Sequence, residues 1–233
     1  MRIIAKIDIK NDFVIKGIMY DGTRKICKLR ELIGHFNNFK IEELILTNFV
    51  SSLYSYDEFM PTIQEQFKDV FLPTTISGGI KNEEFVDTLF KNGADKIALN
   101  SILFDDFNLV KIIIKKYGSQ ALSSCVQTKK IEGKWVVFKD MARHSTGIEL
   151  KSWVKRLENS GFGEVNIINV DRDGTLKGID FSLIDEIPLI SIPVIISGGL
   201  NNLNDINILN KFENISGVGF SSLIYKDIRK NKL

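Results

Sequence analysis

The sequence predicts an α/β fold in which eight strand–helix units close into a (β/α)8 TIM barrel built from two half-barrel repeats. Short apolar runs alternate with stretches of helical spacing along the chain, as in proteins with a parallel sheet. The segment Ile-Ser-Gly-Gly-Ile-Lys-Asn at 76–82 returns as Ile-Ser-Gly-Gly-Leu-Asn-Asn at 196–202. The 233 residues contain no linker-like stretch and approach the roughly 250 residues of such a barrel, so we expect residues 1–233 to form one domain.

The first half of the chain supplies four predicted strands, at 3–9, 43–47, 74–76 and 96–99. Helices are expected at 28–39, 57–67, 83–91 and 108–116, and Asn92 with Gly93 ends the third. Between the first strand and its helix, residues 13–19 are predicted to form a short hairpin arm, and residues 20–24 carry turn chemistry.

The second half repeats this order, with strands predicted at 122–127, 164–169, 194–196 and 217–220. A small hairpin is expected at 129–139, with Glu132 and Gly133 at its tip. Helices are predicted at 150–160, 181–186 and 203–209, whereas the helix after the last strand is expected to be short or absent. The alternative is an open doubly wound sheet, which needs a switch point that the pattern does not provide.

Composition and charge exclude several classes of protein. The formal net charge is +2 without a dense basic stripe, so no nucleic-acid partner is expected. Cys27 and Cys125 give neither a disulfide framework nor a metal-binding pattern, and a reducing, cytoplasmic setting fits best. The apolar runs are far too short to span a membrane, and the N-terminus lacks a signal-peptide layout. We predict neither a metal nor a cofactor.

Catalytic residues are sought at the C-terminal ends of the strands, where barrels of this type carry their active sites. Asp8 is the best candidate for a general acid or base, because it is a carboxylate among otherwise neutral strand ends. The alternative is a structural carboxylate that accepts hydrogen bonds from loop N–H groups. No Ser/His/Asp triad is evident, and His35 and His144 are expected to be bystanders.

The two Gly-Gly segments predict two phosphate sites at this face. Glycine lets the backbone approach a ligand, and a following helix N-terminus favours an anion. The alternative is that each Gly-Gly pair only turns the chain, but the repetition at one spacing favours binding. The expected binding residues are Gly79, Asn100 and Ser101 in the first half, and Asp173, Gly174, Thr175, Gly198, Gly199, Ser221 and Ser222 in the second.

These motifs resemble the cyclase family of imidazole glycerol phosphate synthase, half-repeated (β/α)8 barrels of histidine biosynthesis. The matching stretches cover nearly the whole chain in order: 7–10, 15–17, 76–80, 93–101, 146–148, 163–164 and 171–175. The sister isomerase of that pathway shares the barrel and a similar Arg-Asp-Gly-Thr turn, but the Thr-Gly and Gly-x-Glu stretches favour the cyclase. The resemblance implies a lyase or cyclase and adds Lys16 to the substrate-binding residues.

The resemblance also implies a partner at the opposite end of the barrel. In that family a glutaminase subunit docks on the bottom of the barrel, and ammonia passes up the interior through a ring of charged residues. The matching positions are Arg2, Glu43, Lys96 and Glu164, and Asp95 matches a position at the glutaminase interface. The alternative is an ion-pair plug that stabilises the barrel without passage.

The top of the barrel departs from the family pattern. The family uses two aspartates as acid and base, and Asp8 retains the first of them. The second position is Gln127, which cannot exchange a proton near neutral pH. Another expected aspartate is Asn48, and a Gly-Asp-Pro segment is absent. The charged ring is therefore kept while the acid–base pair is altered.

Three functions are compatible with this combination. The first is a synthase that uses ammonia from a glutaminase to form imidazole glycerol phosphate. The second is a diverged paralogue that passes ammonia to another phosphorylated substrate, as in the amidation of bacterial surface sugars. The third is a non-catalytic partner that activates a glutaminase. An isomerase would need no partner, and the charged ring argues against it.

Overall fold

A computed structural model describes residues 1–49 and 70–230, so the helix predicted at 57–67 lies outside the described residues. The described strands are β1 (Arg2–Lys10), β2 (Phe13–Ile18), β3 (Asp21–Lys28), β4 (Glu43–Asn48), β5 (Thr74–Ser77), β6 (Lys96–Leu99), β7 (Leu122–Ile131), β8 (Lys134–Lys139), β9 (His144–Glu149), β10 (Glu164–Asn169), β11 (Val194–Ser197) and β12 (Ile215–Phe220).

Eight of these strands form a closed parallel barrel, as predicted. In spatial order they are β1, β4, β5, β6, β7, β10, β11 and β12, and each pairs in parallel with the next. The pairing of β12 with β1 closes the ring. All eight predicted barrel strands are therefore confirmed, with ends that differ by a few residues.

The described helices lie between these strands in the chain, except the last, which follows β12. They are α1 (Leu29–Ile33), α2 (Glu83–Lys91), α3 (Ile102–Asp105), α4 (Asn108–Tyr117), α5 (Leu150–Asn159), α6 (Phe181–Asp185), α7 (Asn204–Leu209) and α8 (Ser222–Lys230). The start of α2 illustrates how the sequence sets a helix boundary: Asn82 accepts a hydrogen bond from the Phe85 N–H at 2.9 Å, and two glutamates occupy the first turn.

Two antiparallel hairpins interrupt the simple alternation. The β7–β8 hairpin is confirmed, with Glu132 and Gly133 at its tip in positive-φ conformations. No strand was predicted for residues 144–149, but this segment pairs with β8 as a third strand, β9. At the other end of the chain, β2 pairs with β1 on one side and with β3 on the other.

Two predictions about helices were wrong. The segment 28–39 is not one helix: β3 runs to Lys28, α1 covers only Leu29–Ile33, and a 3-10 turn follows at Phe36–Phe39. The strand continues because Cys27 pairs with Val14 in the hairpin and is buried there. The last helix, expected to be short or absent, is a nine-residue helix, α8, that buries Ile224, Tyr225 and Ile228.

The barrel interior is layered. Arg2 and Glu43 lie at the amino ends of their strands, and two residues further along each strand Ile4 and Ile45 pack with Ile195 in a small apolar cluster. Above that cluster, β1 presents Lys6 and then Asp8, both almost fully buried. This alternation positions charge at both ends of the interior with an apolar layer between them.

Candidate functional site

The carboxyl ends of the barrel strands meet at one face and bring the predicted site residues to it. Two matched turns define this face. Gly78 and Gly198 follow β5 and β11 with φ near +92° and +99°, and a Cβ on either would collide with a backbone carbonyl oxygen, that of Asn48 or of Asn169. Only glycine fits such close approach. The two halves of the barrel therefore build the same turn twice.

A cavity of about 340 Å³ lies over the first half. The predicted site residues that line it are Gly79, Asn100, Ser101 and Gln127, and apolar side chains such as that of Ile80 complete the lining. Asn100 is held in place by donating its amide to the carbonyl oxygens of Cys125, at 2.7 Å, and Phe138, at 3.2 Å. This volume is within the range of small-molecule sites.

The second half has a much tighter cradle of about 10 Å³. The predicted residues that line it are Asp173, Gly174, Gly198, Gly199, Ser221 and Ser222, and Lys6 joins them. Thr175 does not line this cradle, because its hydroxyl donates to the Arg172 carbonyl at 2.7 Å and closes the turn. A volume this small accommodates about one water molecule, so the cradle has to widen to admit a phosphate group.

A network of four buried charges underlies the cradle. Lys6 Nζ lies 3.4 Å from Asp8 Oδ1, and Lys16 Nζ lies 3.6 Å from Asp8 Oδ2. Lys16 also forms a 2.5 Å ion pair with Asp173. The network holds two positive and two negative groups, so its charges balance without solvent.

The electrostatic consequences are clear for three side chains. Burial opposes the charge on Lys6, but Asp8 and other neighbours raise the pKa of its ammonium well above the usual range. Burial also opposes ionisation of Asp173, yet Lys16 and Lys6 lower the pKa of its carboxyl. For Tyr20, whose ring lies 5.2 Å from Lys6 Nζ, burial is the main cause of a raised pKa. All three groups keep their ordinary charge at neutral pH.

Gln127 occupies the end of β7, where its side-chain oxygen accepts a hydrogen bond from the Ala142 N–H at 2.7 Å. Its amide nitrogen lies 3.7 Å from the Met141 sulfur. Asp140, Met141 and Ala142 all have positive φ, a conformation that is costly without support. Gln127 therefore secures the loop after β8 rather than presenting a free polar group.

The predicted ring of four charges comes together at the opposite end of the barrel. Arg2 bridges Glu43, at 2.9 Å, and Glu164, at 2.6 Å. Lys96 reaches the same Glu164 oxygen at 3.2 Å. Burial opposes the charge on Arg2, but Glu164 and Glu43 raise the pKa of its guanidinium. These three ion pairs link the four residues in one chain, from Glu43 through Arg2 and Glu164 to Lys96.

The loops around this ring expose apolar side chains. Phe71 is 92% exposed shortly before β5, and Leu189 is 89% exposed before β11. Asp95 lies between them in the barrel order, directly before β6, and accepts a hydrogen bond from the Thr74 N–H at 2.7 Å. Isolated exposed apolar residues are common, but these two lie on the face that carries the ring.

Sequence reasoning missed Lys6, Tyr20 and Tyr225. The signal for Lys6 was available, since a second charged residue two positions before Asp8 on one strand must point to the same face. Tyr20 and Tyr225 depend on how the β2–β3 hairpin and α8 fold back over the barrel end, which local pattern does not reveal. Their contribution to the site follows only from tertiary structure.

Within residues 1–49 and 70–230, no group of His, Cys, Asp and Glu side chains could hold a metal ion. In the same part of the chain, no helix combines the length and apolar character needed to cross a membrane.

Comparison with known proteins gives a consistent result. A family model described as histidine biosynthesis protein matches residues 2–229. The protein named imidazole glycerol phosphate synthase subunit HisF from Legionella pneumophila is 32% identical over 209 residues, which cover 89% of this chain and 99% of that protein. The proteins of the same name from Staphylococcus carnosus (32% over 229 residues; 97% and 90% covered) and Chlorobium luteolum (34% over 206 residues; 87% and 81%) agree.

Proposed function

The chain belongs to the histidine biosynthesis protein family, and we propose that it is the cyclase-type synthase subunit of a glutamine-dependent amidotransferase. In this proposal it uses ammonia to form imidazole glycerol phosphate. The observation that carries the proposal is Asp8, a buried carboxylate at the active face whose lysine partners Lys6 and Lys16 each line a cavity there. Two buried lysine ammonium groups therefore lie beside this carboxyl group.

In this proposal Asp8 transfers protons, and two other groups of residues bind the two phosphates of the substrate. Asp8 accepts and returns a proton as the ammonia nitrogen attacks the substrate. One phosphate of a bisphosphorylated substrate binds near Gly79, Asn100 and Ser101, and the other occupies the tight cradle formed by Gly174, Gly199 and Ser222. Two anion sites at opposite halves of one face hold such a substrate across the barrel mouth.

A glutaminase partner is proposed for the ring end of the barrel. The exposed Phe71 and Leu189, with Asp95 between them, support a docking surface there. Ammonia passage requires the ring to open, because Arg2 bridges two glutamates and the Ile4, Ile45 and Ile195 cluster lies above it. The alternative is a plug that stabilises the barrel. The two free, buried cysteines support a reducing, cytoplasmic setting.

One observation favours a second candidate function. Gln127 is engaged with Ala142 and cannot supply the second acid–base group of the family. Loss of one proton-transfer group typically reduces a rate by about 10² to 10⁴. A diverged paralogue that passes ammonia to another phosphorylated substrate, such as a surface sugar in amidation, accommodates this change.

The experiment is ammonia-dependent turnover of the purified chain on the histidine-pathway nucleotide intermediate, followed by the loss of its absorbance. Turnover that disappears in Asp8→Asn supports the cyclase. A folded chain that binds inorganic phosphate but does not turn over contradicts it and favours the diverged function.

The partner is tested separately by co-elution with a glutaminase. Binding that is lost in a Phe71→Ser/Leu189→Ser variant, and kept in Asp8→Asn, supports the ring-end surface. Activation of the glutaminase without any synthase turnover would instead indicate a non-catalytic partner. No binding to any glutaminase contradicts all the ammonia-based functions.

A further inference from the structure

The largest of the cavities described here, about 580 Å³, lies outside the tight cradle, between the β2–β3 hairpin and α8. We call it the cationic groove, and define it by the charged and polar residues Lys16, Arg24, Ser222, Tyr225, Lys226 and Arg229. Gly174, Leu176 and Ser222 line both the groove and the cradle, so the two are continuous. A ligand held in the cradle can therefore extend into the groove.

The groove carries an excess of positive charge. Within the described part of the chain, no ion pair involves Arg24, Lys226 or Arg229, whereas Lys16 is neutralised by Asp173. The acidic group in the lining is Asp21, whose carboxylate accepts a hydrogen bond from the Gly22 N–H at 2.7 Å. The lining therefore holds more cations than carboxylates, which is typical of a surface that binds an anion.

Two features show that the groove is arranged for more than solvation. Lys226 and Arg229 are three residues apart on α8, so their side chains project from one side of the helix. Tyr225 also lines the groove and is only 3% exposed, so its buried side chain forms a fixed wall beside these cations.

The N-terminus of α8 adds to this field. The helix begins at Ser222, where the first backbone N–H groups have no partner within the helix and the dipole favours negative charge. Ser222 faces both the cradle and the groove. The helix end and the three cations, which make no ion pair within the described residues, thus line one volume.

We propose that the cationic groove is a second anion subsite, which receives a further phosphoryl group attached to the one in the cradle. The substrate class at this end is thereby a diphosphate-bearing small molecule, which differs from a substrate that yields imidazole glycerol phosphate. The inference therefore rests on the second candidate function, a diverged paralogue with another phosphorylated substrate, and on the cradle as the phosphate site of that substrate. The recognition is electrostatic and directional, through Arg24, Lys226 and Arg229.

The test compares two probes on the full chain by titration calorimetry at constant ionic strength: inorganic phosphate and inorganic pyrophosphate. We expect pyrophosphate to bind at least about tenfold more tightly than phosphate, because it adds charge-assisted hydrogen bonds in the groove. The variant Lys226→Gln/Arg229→Gln should lose about tenfold in pyrophosphate affinity and less than about twofold in phosphate affinity.

The matched control is Lys111→Gln/Lys115→Gln, which removes two exposed lysines from α4 on another side of the barrel. It changes the net charge equally and should leave both affinities within about twofold. Equal affinity for the two probes, or equal losses in the two double variants, overturns the proposal. These binding measurements need no turnover, so their outcome can be distinguished from that of the cyclase assay.

Discussion

Lys6 and Asp8 point to the same side of β1 and form an ion pair of 3.4 Å in the barrel interior. Lys6 is 3% exposed and Asp8 is 2% exposed, so water screens neither charge. The only other cation within ion-pair distance of Asp8 in the described residues is Lys16, at 3.6 Å. This end of the barrel is therefore built on a buried pair whose members depend on one another.

Replacement of Lys6 by methionine keeps the length of the side chain and removes its charge. We expect Lys6→Met to lower the free energy of unfolding by about 3 kcal/mol, because an uncompensated buried charge remains. The double variant Lys6→Met/Asp8→Asn should recover part of this loss. Urea denaturation measures both. A loss below about 1 kcal/mol in the single variant would show that Lys16 alone neutralises Asp8.

The barrel itself could be predicted from the sequence, because buried parallel strands are short continuous apolar runs with turn residues at their ends. The runs 74–76 and 194–196 show this, because each forms a barrel strand in its half of the chain. Each of these strands is followed by the same Gly-Gly turn. The ring of Arg2, Glu43, Lys96 and Glu164 was anticipated from family resemblance, and its ion pairs are in the structure.

The remaining features depend on tertiary contacts. Residues 21–28 lack a strong strand pattern and extend as β3 because β2 offers a partner edge. Gln127 could be identified from the sequence as a departure from the family. Its hydrogen bond to the Ala142 N–H could not, because it joins a residue of β7 to a residue of the loop after β8. The cationic groove combines residues from near both ends of the chain, which no local window contains.

The charged ring predicts unequal roles for its two glutamates. The Glu164 side chain is 5% exposed and pairs with two cations, whereas Glu43 is 17% exposed and pairs with Arg2. We expect Glu164→Gln to destabilise the fold by about 2 to 3 kcal/mol and Glu43→Gln by about 1 kcal/mol or less. Thermal and urea unfolding of the two variants measure the difference. Equal losses would contradict a ring centred on Glu164.

Gln127→Asp restores a carboxylate but shortens the side chain by one methylene group. The aspartate cannot reach the Ala142 N–H, so we expect a loss of stability of about 1 to 3 kcal/mol. Gln127→Glu keeps the length and an acceptor oxygen, and serves as the matched control. If the histidine-pathway reaction is native, Gln127→Asp should raise turnover on the nucleotide intermediate despite the weaker fold. Unchanged turnover indicates a different substrate.

Asp173 should make stability depend on pH in the acid range. Its pKa is lowered, since Lys16 and Lys6 outweigh the opposing effect of burial, so the folded state favours the ionised carboxylate. The stabilisation is therefore fully present above the unfolded-state pKa of about 3.9 and is lost as the pH falls through the lower folded-state value. Between those two values it declines by up to about 1.4 kcal/mol per pH unit.

The measurement is the free energy of unfolding of the parent chain and of Asp173→Asn, by urea titration from pH 6 to pH 2.5. The difference between them should be constant above about pH 5 and shrink below about pH 4. Glu132→Gln, which removes an exposed carboxylate at the tip of the β7–β8 hairpin, sets the baseline for the loss of one charge. Lys16→Met should remove much of the acid-range dependence, because it deletes the 2.5 Å partner of Asp173. A difference that grows as the pH falls would mean that burial, rather than the lysines, controls this carboxyl group.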